Sequence, residues 1–227
     1  MNPEPLISVI MPVYNSEKYV AEAIQGVLDQ THKNIELICI NDGSTDGSID
    51  ILKSFGDKLI LIDNNENGGI GKARNLGIDK SSGEFIAFMD SDDIWKFTKL
   101  EAQILHFKNN PNIDICFTYM KCFVSPELSD EIKKIRHCPP DPIPGNLACS
   151  ALIRTASFYK VGLFNEKWKM GEFIDWFAKA KEMNLRYEVI SDVCLFRRIH
   201  NTNTGVTRRE SRNDYIKIIR ESLKRRK

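Results

Sequence analysis

Three carboxylates within four residues, Asp90, Asp92 and Asp93, close the apolar run Phe85-Ile-Ala-Phe-Met89. Carboxylates crowded in this way repel one another, and a hard divalent cation relieves the repulsion. Mg²⁺ or Mn²⁺ commonly sits on one or two such groups together with the phosphate oxygens of a substrate. An open α/β sheet binds its ligands just beyond the carboxyl ends of its strands, which is where this cluster would lie. A solvated turn or a helix N-cap accounts for the same acids, because Asp favours both positions. The neighbouring elements must therefore arbitrate.

Strand-like apolar runs alternate with helical patterns through the first half, which predicts βα units and a largely parallel sheet. Ile7 to Val13 reads as a strand, and Ser16 is placed to cap a helix carrying Tyr19, Val20, Ala23, Ile24, Val27 and Leu28 at the 3.6 period. Ile35 to Ile40, Leu59 to Ile62 and Phe85 to Met89 read as further strands, with helices from about Ser48 and around Ala73 to Ile78 between them. Two strand ends besides the acidic one carry polar groups, Tyr14-Asn15 and Asn41-Asp42. All three ends meet along one edge of a parallel sheet. Tyr14 could stack on a nucleotide base there and Asp42 could accept its imide N–H, although Asn-Asp-Gly-Ser is also a strong turn signal by itself.

Four segments in this order, Ile7-Ser-Val-Ile-Met-Pro-Val-Tyr-Asn15, Asn41-Asp-Gly-Ser-Thr-Asp46, Asn67-Gly-Gly-Ile-Gly-Lys-Ala-Arg-Asn75 and Phe88-Met-Asp-Ser-Asp-Asp93, resemble the signature motifs of family 2 glycosyltransferases. The resemblance implies a GT-A fold, a Rossmann-like and mostly parallel sheet flanked by helices with a smaller acceptor-side half. It further implies transfer of a sugar from a nucleotide-sugar donor, expected to be a UDP-sugar, to a hydroxyl of a saccharide or lipid-linked saccharide. Inversion at the anomeric carbon and a place in cell-surface polysaccharide or glycolipid synthesis go with it. Carried over residue by residue, the donor contacts are Pro12, Tyr14, Glu17, Asp42, Arg74, Asp90 and Ser91. The metal ligands, for Mn²⁺ or Mg²⁺, are Asp92 and Asp90, joined by His200 from Arg197-Arg-Ile-His-Asn-Thr-Asn203. Arg197 or Arg198 would neutralise the leaving diphosphate.

The chain departs from the family where the catalytic base is expected. Met170-Gly-Glu-Phe-Ile-Asp-Trp-Phe177 puts Phe173 in the position of the usual aspartate. Two carboxylates remain nearby, and we place the base at Asp175 with Glu172 as the alternative. Phe173 also motivates a rival reading as a non-catalytic sugar-nucleotide-binding protein. Gly69-Ile-Gly71 lacks the third glycine of a dinucleotide fingerprint, and Gly71-Lys72 lacks the preceding glycine and following Ser/Thr of a P-loop.

In 227 residues, 42% hydrophobic and 28% charged, we expect one domain over residues 1–207. Residues 1–95 would form its nucleotide-sugar half and 96–207 its acceptor half. Residues 126–145, with five prolines, read as a long irregular segment shaping the acceptor pocket. The formal charge is +1, but residues 208–227 carry +6 on a basic helical stripe of Tyr215, Ile218, Ile219 and Leu223. That helix either packs its stripe on the domain or lies on an anionic membrane surface; a nucleic-acid role is disfavoured because the stripe offers few aromatics for stacking. Six scattered cysteines with no Cys-x-x-Cys pair read as reduced and structural. Without a signal-like start or an eighteen-residue apolar run, the expected location is the cytoplasm, with possible contact at the inner membrane face through the tail.

Overall fold

The structure is a computed structural model that describes residues 4–135, 138–203, 211 and 213–226. Strands β1 (Ile7–Val13), β2 (Ile35–Asp42), β3 (Ile60–Asn64) and β4 (Phe85–Phe88) are all parallel, in the order β3-β2-β1-β4. Helices α1 (Val20–Leu28), α2 (Ser48–Ser54) and α3 (Ile70–Lys80) connect them. The near-continuous apolar sequences of β1 and β4 follow from this, since a parallel sheet covered on both faces buries both side-chain sets. Every residue of β4 is buried. Gly77 lets α3 close onto the sheet, because a Cβ there would meet Ile10 Cγ2 at 2.5 Å and Ile40 Cδ1 at 2.8 Å.

The sheet continues in mixed orientation. Strand β8 (Leu152–Arg154) runs antiparallel to β4, β6 (Ile115–Val124) antiparallel to β8, and β9 (Tyr187–Ile199) parallel to β6. Strand β5 (Ile94–Trp95) ends the path as an antiparallel partner of β9. The acidic loop thus joins β4, in the middle of the sheet, to β5 at its far edge. Helices α4 (Lys99–Asn109), α6 (Thr155–Val161) and α7 (Glu172–Glu182) cover the faces.

Three details differ from the sequence expectation. Ser16 does not cap α1, which starts at Val20 with no side-chain cap; its hydroxyl instead meets that of Ser91 at 2.7 Å. Within residues 126–145, expected to be irregular, Asp130–Ile135 forms helix α5 and Ile143–Pro144 forms strand β7, paired to β6. The proline-rich part reads correctly as non-helical, while the charged Asp-Glu-Ile-Lys-Lys-Ile stretch has ordinary helix formers. Finally, the C-terminal helix, α8 (Asn213–Arg225), buries Ile218 but leaves Ile219 and Leu223 exposed. No helix among the described residues is long and apolar enough to cross a membrane.

Candidate active site

The carboxyl ends of β1, β2 and β4 do converge, with Val13 opposite Asn41 and Ile10 opposite Phe88 in the ladder. Tyr14 leaves β1 with 42% of its surface exposed, an open ring at the cleft. Pro12 is half-buried just before it. Asn15 adopts a positive φ of 48° and accepts the Thr45 N–H at 2.7 Å, locking the β1 loop to the β2 loop. Glu17 braces the same junction by accepting the Gly47 N–H at 2.8 Å.

Asp42 is buried, and its carboxylate holds the loop that opens α3. Oδ1 accepts from Gly68 N at 2.8 Å and Asn64 Nδ2 at 3.1 Å, and Oδ2 accepts from Gly69 N at 2.9 Å. A carboxylate has about four acceptor positions, so one is left for a ligand.

Arg74, on α3, is the hinge of the site. Its guanidinium is buried, donates through NH2 to Asp90 Oδ1 at 2.7 Å and through NH1 to Glu172 Oε1, and lies over the Phe88 ring at 5.4 Å. Burial opposes its charge, but the Glu172 and Asp90 carboxylates outweigh this and raise its pKa. The next residue, Asn75, ties α3 to the segment between α6 and α7 through Phe164 N and O and Glu166 Oε1.

Within the acidic loop, Asp92 Oδ2 meets His200 Nε2 at 2.8 Å and accepts from Asn203 Nδ2 at 3.2 Å. His200 also stacks against Tyr19, with ring centroids 4.7 Å apart. Asp93 is buried and accepts the Arg198 N–H at 2.9 Å. Burial, then the charges of Asp92 and Asp90, push the Asp93 carboxyl well above the usual carboxylate range. Ser91 is buried through its hydroxyl contact with Ser16.

This donor set fits a divalent cation. Oxygens of Asp90 and Asp93 and the Cys149 sulfur lie within 4.8 Å of one another; of the expected ligands, Asp92 and His200 meet each other at 2.8 Å but are not part of this group. Burial and the charges of Asp90 and Asp93 push the Cys149 thiol well above its usual range. A protonated thiol is a poor ligand, so the carboxylate oxygens are the donors of this group that suit a hard ion.

The two arginines of β9 have different roles. Arg197 is exposed and faces Asp93 and Asp90, whose charges outweigh partial burial and raise its pKa. Arg198 is buried: Nε donates to Asp92 O at 3.0 Å, NH2 to Glu22, and its guanidinium lies 4.8 Å from both the Tyr19 and Phe123 rings. Arg198 therefore fixes the acidic loop and is unavailable to a diphosphate. Ser125 and Tyr19 both donate to Glu127, whose carboxyl they hold down at about 2. This joins the segment that follows β6 to Tyr19, just before α1. Sequence reasoning left Cys149 out of the site because nothing local marks it; the Trp95 Nε1 bond to its carbonyl at 2.9 Å places it.

The two candidate bases, both in the first turn of α7, part company. Glu172 is buried against Arg74 and so belongs to the Asp90 cluster. Asp175, 1% exposed, lies 2.8 Å from Lys179 Nζ and 3.4 Å from Arg225 NH1 of the tail. Phe173 occupies neither place, since it stacks on Trp176 and Phe177 in the core. A concavity of about 580 Å³ bordered by Asn109, Pro111, Arg186 and Glu188 lies at the opposite ends of the strands from this chemistry.

The family described as Glycosyl transferase family 2 matches residues 8–179. The chain belongs to that family. An uncharacterized glycosyltransferase of Rickettsia prowazekii is 34% identical over 92% of this chain and 70% of its own length. TuaG of Bacillus subtilis, a glycosyltransferase assigned to teichuronic acid biosynthesis, is 42% identical over 45% of this chain and 42% of its own. Among solved structures, TarS of S. aureus superposes with a TM-score of 0.69 at 26% identity, covering 85% of this chain and 60% of TarS residues 1–349. The mannosyltransferase PcManGT of Pyrobaculum calidifontis, solved with GDP-Man and Mn²⁺, shares the fold at a TM-score of 0.67 and 18% identity, over 89% of this chain and 59% of its own. The mixed sheet flanked by helices is thus the GT-A fold of these glycosyltransferases.

Proposed function

We propose that this glycosyltransferase moves a sugar from a UDP-sugar to a hydroxyl of a saccharide or lipid-linked saccharide, with inversion, in cytoplasmic synthesis of a cell-surface polysaccharide or glycolipid. The observation that carries the reading is the Glu172–Arg74–Asp90 chain, which couples the carboxylate at the start of α7 to the acidic loop. TarS structures hold UDP and UDP-GlcNAc, and TuaG's assignment supports the polymer class.

In this reading Tyr14 stacks on the base and the remaining acceptor position of Asp42 takes its imide N–H, with Pro12 and Glu17 shaping the loop around them. Asp90, Asp92 and His200 would hold a Mn²⁺ or Mg²⁺ ion, which neutralises the diphosphate as it leaves. Arg197 adds a second positive charge from the open side of the cleft. Arg74 holds Asp90 and Glu172 in register. Glu172 removes the acceptor proton, and we favour it over Asp175 because its partner Arg74 also holds Asp90 of the acidic loop, whereas Asp175 pairs with Lys179 and with Arg225 of the tail.

A second reading, donor binding without transfer, draws on Phe173 in the core and on Glu172 already paired with Arg74. Incubation with a panel of UDP- and GDP-sugars and Mn²⁺ decides between them. Slow release of free sugar, lost with EDTA and with Asp92→Asn, is the expected result; tight binding with no turnover for any donor and acceptor overturns the transferase.

A further inference from the structure

Helix α8 turns its apolar stripe away from the protein, and we propose that this outward face docks on an anionic lipid bilayer. The inward face is fully accounted for. Ile218 is 1% exposed, Ser222 donates to Glu182 at 2.6 Å, Arg225 reaches the other Glu182 oxygen at 2.7 Å, and Lys167 pairs with Glu221 at 2.8 Å. Asp214 accepts the Lys169 N–H at 3.2 Å. Gly171 allows the approach, because a Cβ there would meet Ile218 Cδ1 and Tyr215 Cε1 at 2.9 Å each.

Ile216, Ile219 and Leu223, spaced at i, i+3 and i+7, form one stripe on the other side, each more than half exposed. Arg220, Lys224 and Lys217 are exposed along the flank of that stripe. Both acids of the helix, Asp214 and Glu221, engage the body, and Asp214 also pairs with Lys217 at 3.4 Å, so the outward half carries three aliphatic side chains, the cations Arg220 and Lys224 without a helix acid beside them, and no carboxylate. A helix that lies in a bilayer interface has this distribution, with aliphatic groups entering the acyl boundary and cations held at anionic headgroups. Long basic side chains beside the stripe suit that position, since their stems cover apolar surface while their heads stay in water. A protein partner is the poorer match, because the centres of protein interfaces are depleted in lysine and enriched in aromatic residues.

The test is co-sedimentation of the full chain with phosphatidylcholine vesicles, with and without roughly one-third phosphatidylglycerol, alongside its oligomeric state by light scattering. The expected result is binding to the anionic vesicles alone, weakened by salt. Ile219→Ser with Leu223→Ser should lower the partition coefficient by about tenfold or more, as should Arg220→Gln with Lys224→Gln. Circular dichroism should not change, since none of these side chains touches the body. Equal binding to neutral vesicles, no binding at all, or binding indifferent to both pairs overturns the proposal. A dimer that the serine pair dissociates, with no vesicle affinity, assigns the stripe to a second copy instead. No donor or acceptor enters the measurement, so its outcome is separate from that of the transferase reading.

Discussion

Two of the buried cations among the described residues lie in opposite circumstances. Arg74 sits between two carboxylates, while Lys99 has only the Gln103 amide at 2.9 Å and the face of Trp95 at 4.0 Å. The charges around Arg74 raise its pKa, whereas burial lowers that of Lys99 to about 8. A buried charge kept with ionised partners organises a site; one kept without them is a cost to the fold, tolerated because rings and amides soften it.

The largest expected effect comes from breaking the first arrangement. Arg74→Met leaves Glu172 buried without its partner and should cost about 3–5 kcal/mol in chemical denaturation. Adding Glu172→Gln should recover much of that stability while donor turnover stays lost. If the single variant were as stable as the parent, the pairing would be incidental.

Glu172→Gln alone should lower kcat by roughly 10² to 10⁴, the usual share of a general base, with donor affinity nearly unchanged. Asp175→Asn should leave kcat within a few-fold and show instead as a loss of about 1–3 kcal/mol, because it removes the carboxylate 2.8 Å from Lys179 Nζ, while Arg225 keeps Glu182. The reverse order would move the base to Asp175.

Lys99→Met sharpens the contrast through pH. The unfolded chain, with Lys99 near 10.5, binds more protons than the fold, where its value is about 8, so stability rises with pH across that window. The gain should approach about 3 kcal/mol, and Lys99→Met should flatten it. A stability profile with no rise above pH 8 in the parent protein would show that Trp95 and Gln103 compensate the charge fully.

A smaller effect tests how Arg198 holds the loop. Arg198→Lys keeps the charge but cannot keep both the Asp92 carbonyl and Glu22, and should weaken Mn²⁺ binding by about 10- to 100-fold while donor-free stability drops by about 1 kcal/mol. Unchanged metal affinity would separate the acidic loop from β9.

Much of the parallel part of the sheet was readable because its signals are local. The apolar runs of β1, β2 and β4 and the polar residues at their ends lie next to each other in the chain, and a parallel βα pattern has few ways to arrange them. The second uses of those residues were not readable. Asp42 spends three acceptor positions on the loop from Asn64 to Gly69, and the Ser16 hydroxyl reaches Ser91 across 75 residues. Such bonds depend on where two distant loops meet. Residues 208–210, 212 and 227 of the expected tail lie outside the described residues.

The sequence by itself determined the order of motifs, the parallel half-sheet and the edge at which Tyr14, Asp42 and Asp90 gather, because strand period and turn chemistry are properties of short segments. It placed the base at Asp175 with Glu172 as the alternative without showing what either carboxylate meets, and it could not tell which side of α8 faces the body. Both depend on how a helix is rotated about its own axis. That angle is set by what packs against it: the aromatic group around Phe173 turns Glu172 toward Arg74, and Ile218 with Glu182 turns Ile219 and Leu223 outward. Neighbours brought together by the tertiary fold settle such a rotation, and no window of sequence contains them.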